Sequence, residues 1–174
     1  MSSRLPTSSE DISHYHIFPD DAHATIARAS LGVLLRLDDR TDSSNASNIP
    51  LAEYAAEHWV SHVQVSNTSS HVMSMMETLF DLDKPHFAAW VRIYDVDHEN
   101  DWYRGRDTAK SLYYAVLCGF YNLVEHLAKK YPGHINDLGG RHNYPLVAAL
   151  HKGHISIAEL LLRHDAKVDG QIMY

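Results

Sequence analysis

Fourteen histidines and one cysteine are the side chains of this 174-residue sequence best suited to chemistry near neutral pH. His58 and His62 stand four residues apart, the spacing that lets two imidazoles on one helix face reach a single zinc ion. A zinc protease would need glutamate at position 59, where Trp59 stands, and no third ligand is identifiable, so a helix–helix contact is the expected role of this pair. Asp95, Asp97, Glu99 and Asp101 alternate as the ligands of a calcium loop do, but Asn100 occupies the position that needs glycine and Arg106 the one that needs glutamate. A solvated acidic loop accounts for them. Cys118 could act as a nucleophile with a histidine base, yet its place one residue before Gly119, at the end of a short helix, predicts a small semi-buried thiol. No cofactor or metal is therefore expected.

These residues need a scaffold, and the composition supplies one: 45% of the residues are apolar and 21% charged, enough to bury a core. Fifteen Lys and Arg against 22 Asp and Glu leave a net charge of −7, and no basic cluster offers a footprint for nucleic acid or an anionic membrane. No run reaches the roughly 18 apolar residues of a membrane span. The opening segment Met1–Glu10 lacks the apolar core of a secretory signal. A lone cysteine excludes an internal disulfide. Together these features predict a cytoplasmic protein.

The spacing of apolar residues predicts an all-α chain. Residues 1–19 read as mostly irregular, with a short extended piece over 13–18. A helix is expected from Pro19-Asp20-Asp21 to about Leu37, then a polar, exposed loop over 38–49. Pro50 starts a second helix with Leu51, Tyr54, Ala55, His58, Trp59, His62 and Val63 on one face. Ser69-Ser70 caps a third carrying Val72, Met75, Met76, Leu79 and Phe80. Pro85 begins a fourth carrying Phe87, Trp90, Val91 and Tyr94. This helical region spans 20–95, and a charged loop over 96–110 follows. Trp59 and Trp90 read as core, whereas Trp102 and Tyr114 read as surface aromatics.

Residues 111–174 hold an internal repeat, divided at about 111–143 and 144–174. Leu112, Ala115, Gly119, Leu123 and Leu127 recur 34 positions later as Leu146, Ala149, Gly153, Ile157 and Leu161. Each unit reads as a short helix stopped by glycine, a second helix (122–130 and 155–164) and a polar turn. The segment Tyr144-Pro145-Leu146-Val147-Ala148-Ala149-Leu150-His151-Lys152-Gly153-His154 resembles the ankyrin signature Thr-Pro-Leu-His-x-Ala-Ala-x-x-Gly-His. Ser111–Ala115 with Phe120 is a more degenerate copy. Tyr144, Val147 and Asp165 depart from that family's pattern at the threonine, the turn histidine and the helix-ending glycine. Upstream, Ile12–Ile17, Ala29–Asp38, Pro50–Trp59 and Leu79–Trp90 resemble the stretch that joins a NACHT domain to ankyrin repeats in large fungal intracellular sensors. No Gly-x-x-x-x-Gly-Lys-Ser/Thr loop is present, so a nucleotide site does not carry over.

The resemblance implies a helical domain followed by a short ankyrin-repeat solenoid, and a non-enzymatic protein-binding module within a fragment or truncated relative of a larger sensor. The implied groove would be formed by Tyr114, Leu117 and Cys118 of one repeat, Ala148, His151 and Lys152 of the next, and Arg141, His142 and Asn143 at a turn tip, against a protein partner of unknown identity. The alternatives are a structural linker remnant without its own partner, since solenoids usually need about three or more units, and a zinc enzyme.

Overall fold

A computed structural model describes residues 19–66, 69–97 and 110–168. Among these residues the chain is all-α, with no strand. Its helices are α1 (Pro19–Leu34), α2 (Ala52–Val65), α3 (Ser70–Leu79), α4 (His86–Ile93), α5 (Ser111–Leu117), α6 (Tyr121–Lys130), α7 (Pro145–His151) and α8 (Ile155–Arg163). Single 3₁₀ turns lie at Ala46–Asn48 and Pro132–His134. The expectations for 1–18, for Glu99 and Asp101, for Trp102 and for the chain beyond Val168 lie outside the described residues.

α1 makes its largest contact with α2 and also packs on α3 and α4. It stops at Leu34 rather than Leu37, because Arg36 and Leu37 donate to the carbonyls of Val33 and Leu34, the i→i+3 bonds of a tightened last turn. Leu37 is nonetheless buried. The segment expected to be an exposed loop is instead anchored: Thr41 and Ala46 are buried. Arg92 of α4 donates to the carbonyls of Thr41 (3.0 Å) and Asp39 (3.0 Å), while Asp38 and Asp42 fold their carboxylates back onto neighbouring backbone N–H groups. α2 begins at Ala52, after Leu51 in a left-handed conformation (φ 64°), so Pro50 precedes the helix. Its buried face is Ala52, Ala55, Ala56, Trp59 and Val63, whereas Leu51 and Tyr54 are exposed. Ser69 caps α3 by accepting from Val72 N–H.

The core is one contiguous cluster running from α1 to α8. At its centre, Trp59 of α2 lies 5.3 Å from Trp90 of α4, edge-on, and 5.4 Å from Phe120, the residue after the α5 turn. Phe87 and Trp90 meet Tyr114 of α5 at 5.3 and 6.0 Å. Such pairs add about 0.5–1.5 kcal/mol each beyond the area they bury. Trp90 Nε1 donates to the carbonyl of Ala56 (2.9 Å), so the indole is buried without stranding its N–H.

α5 packs on α6 and α7, α7 on α8, and α8 on α6. Gly119 (φ 76°) and Gly153 (φ 74°) end α5 and α7 in the left-handed region, where a Cβ is costly. The hydrogen bonds around them match: Phe120 N–H donates to Ala115 and Gly119 N–H to Val116, as His154 N–H does to Ala149 and Gly153 N–H to Leu150. These are paired helix-ending bonds that satisfy the last carbonyls.

Candidate functional site

The expected recognition groove does not present the side chains assigned to it. Tyr114 (1% exposed), Leu117, Cys118 and Ala148 are all buried. Short helices packed on both sides hide the positions that a lone helix would expose. Arg141, Asn143, His151 and Lys152 are exposed and His142 is half-buried. The His142 and His151 rings stack at 4.2 Å. Burial first, then the neighbouring His151, hold His142 below the usual histidine range. Of the nine groove residues, the structure therefore gathers His142 and His151 and turns four of the others into core.

Tyr114 is the clearest correction among the aromatics. Its hydroxyl reaches Asp95 (2.8 Å), and beside it the Tyr113 hydroxyl donates to both carboxylate oxygens of Asp97 (3.0 Å each). Asp97 also accepts from the backbone N–H of Arg141, and the Tyr113 hydroxyl accepts from His142 N–H (3.2 Å). Asp97 is buried, so the first acidic residues of the predicted solvated loop are structural acceptors. Burial and the adjacent carboxylates push both phenols above their ordinary range. Gly140 (φ 71°) lies against this network, where a Cβ would collide with the Tyr113 ring.

Cys118 is buried, and burial pushes its thiol up to about 12, only weakly opposed by Lys152. A thiol that stays protonated is a poor nucleophile. Its carbonyl accepts from the Gln64 side chain (2.9 Å), which ties the end of α5 to α2.

His62 does not pair with His58. Its Nδ1 lies 2.8 Å from His23 Nδ1 on α1, and its Nε2 lies 2.9 Å from the Tyr54 hydroxyl, eight residues back on the same face of α2. His58 instead packs on the Tyr54 ring at 4.7 Å and lies 3.8 Å from Glu57. Among the described residues no group of three or more His, Cys, Asp or Glu is arranged to hold a metal ion. The His23–His62 contact joins positions 39 apart, and no local spacing signals it.

A cleft of about 420 Å³ opens where the end of α2 and the start of α3 meet the α5–α6 turn. Met73, Met76, Phe120 and Leu123 form its apolar wall, with Gln64 and Asn122 as amide groups. Its size falls within the range of small-molecule sites. The sequence gives no sign of it, because its wall joins residues 63–76 to residues 119–123. Among the described residues, no helix is long and apolar enough to cross a membrane.

No family model matches the chain. No solved structure matches it. The sequence is similar to the azaphilone pigments biosynthesis cluster protein L of Monascus ruber, 28% identical over 141 residues, covering 73% of this chain and 30% of that protein. The chain thus spans about a third of the length of the curated relative it matches. These findings overturn the ankyrin and NACHT readings, and with them the interaction-module function and its linker alternative. The recurring glycines match two left-handed helix-ending turns, at Gly119 and Gly153, and such shared geometry does not by itself specify function.

Proposed function

We propose that this chain takes part in the biosynthesis of a pigment-type metabolite, holding a compound with an apolar body in the cleft beside Phe120 and carrying out no bond chemistry of its own. The observation that carries the biosynthetic reading is the similarity over 73% of the chain to a pigment biosynthesis cluster protein. The cleft supports the binding role: two methionines offer an adaptable apolar wall, and the amides of Gln64 and Asn122 can orient a carbonyl or hydroxyl. The buried thiol of Cys118, held in its protonated form, and the pairing of His62 with His23 support a non-catalytic part.

The finer fold belongs to the same proposal. α5–α6 and α7–α8 are two stacked hairpins of a short solenoid, a reading supported by the α5–α7 and α6–α8 contacts and by the matched glycine turns.

Deleting the gene in the organism that carries it, then profiling extracted metabolites by liquid chromatography and mass spectrometry, tests the proposal. A product should be lost, then restored by the wild-type gene but not by Asn122→Trp, which fills the cleft from its exposed rim. An unchanged metabolite profile would overturn the biosynthetic role. Full rescue by Asn122→Trp would overturn the cleft as its site.

A further inference from the structure

We propose that His23 and His62 form a proton-operated latch between α1 and α2, closed while the pair carries no more than one extra proton and opened when both rings are charged. The two Nδ1 atoms face each other at 2.8 Å, with ring centroids 5.0 Å apart. One nitrogen must donate and the other accept, so a neutral pair satisfies the contact and so does an imidazolium donating to a neutral ring. Two imidazoliums set N–H against N–H and two positive charges side by side.

His62 cannot simply turn away. Its Nε2 is held by the Tyr54 hydroxyl at 2.9 Å, and that hydroxyl can donate or accept as the tautomer requires. The C-terminal turn of α2, where His62 lies, favours one positive charge. The second charge is the one the site rejects. Among the described residues, the titratable groups acting on His62 are His23 from α1 and, from α2, His58 and the Tyr54 hydroxyl bonded to its Nε2. α3 and α4 supply none, and no carboxylate is among the groups acting on His62.

Burial, then His23 and His58, hold His62 below the ordinary histidine range. The unfolded chain therefore binds more protons than the folded one between that lowered value and about 6.5. The contact is at full strength above about 6.5 and is lost as pH falls through the lowered value. Opening is confined to the first turns of α1, because Ala27, Leu31 and Leu34 farther along are fully buried in the core.

Hydrogen exchange read by mass spectrometry at pH 7.5 and 5.0, corrected for intrinsic rates, tests the latch. Peptides covering 21–27 should exchange about tenfold faster at the lower pH, about 1.4 kcal/mol of lost protection, while α5–α8 keep their rates. His23→Gln, whose amide can still donate to His62 without titrating, should remove most of that rise at unchanged helical content. His23→Lys, a permanently charged donor, should keep the segment closed at pH 7.5, where His62 is neutral, and should still open it at pH 5.0, where protonation of His62 alone sets two positive donors against each other. A wild-type chain with no acid-induced rise, or an equal rise in His23→Gln, overturns the latch. Should His23→Gln fail to fold, imidazole ¹⁵N shifts of the wild type serve instead: a coupled two-step titration supports the latch, and two independent ordinary titrations overturn it.

Discussion

The α5–α6 and α7–α8 hairpins turn at glycines with φ of 76° and 74°, yet every residue of α5 is buried while α7 leaves Leu150 51% exposed. α5 lies between the aromatic cluster on one side and α7 on the other, whereas α7 has its packed neighbours in α5 and α8. In α8, Ile155 and Leu162 are likewise exposed. Similar sequence is thus buried to different degrees according to what stands beside it: Val116 is fully buried, and its counterpart 34 residues later is Leu150.

The widest separation between the hairpins should come from their apolar positions. Leu117→Ala should cost about 2–5 kcal/mol, and Leu150→Ala no more than about 0.5 kcal/mol, both read from urea midpoints at constant m. Equal losses would mean that α7 and α5 are equally enclosed. The glycines give a smaller contrast. Alanine at either position pays about 1–2 kcal/mol for the left-handed conformation. At Gly119 its Cβ also falls 2.8 Å from the His154 ring, whereas at Gly153 it meets nothing within 4 Å. Gly119→Ala should therefore lose about 1–3 kcal/mol more than Gly153→Ala, and thermal melts showing the two alike would remove His154 as a rigid spacer.

The smallest effect lies at the end of α8. Asp165 adopts φ 63°, and Ala166 N–H donates to Leu161 as at the two glycines. Asn136 holds this turn from the preceding hairpin, its side-chain amide donating to the Asp165 carbonyl and its oxygen accepting from Lys167 N–H. Asp165→Gly should stabilise by about 0.5–1 kcal/mol, a rise in midpoint that circular dichroism melts resolve. A loss would show that the aspartate side chain contributes more than its backbone strain costs.

The helices were legible where apolar residues recur at helical spacing. The Trp59 and Trp90 faces of α2 and α4 are examples. What the sequence hid depends on distant partners. Asp95 and Asp97 look solvated until Tyr113 and Tyr114, 16 and 19 residues away, bring hydroxyls to them. Tyr114 looked like surface until Phe87 and Trp90 of α4 closed over it. His58 and His62 looked like a pair by spacing, yet the partner that matters is His23 on another helix. The cleft beside Phe120 lies between elements and so has no period to betray it.

The rings of Trp59, Phe87, Trp90, Tyr114 and Phe120 are drawn from both sides of the segment between Asp97 and Lys110. Neither side can keep these rings dry by itself. Parting them would leave two wettable aromatic faces and strip α5 of the wall that hides it. The residues before Asp97 and those after Lys110 should therefore melt together, with damage to either side weakening the other through these shared rings.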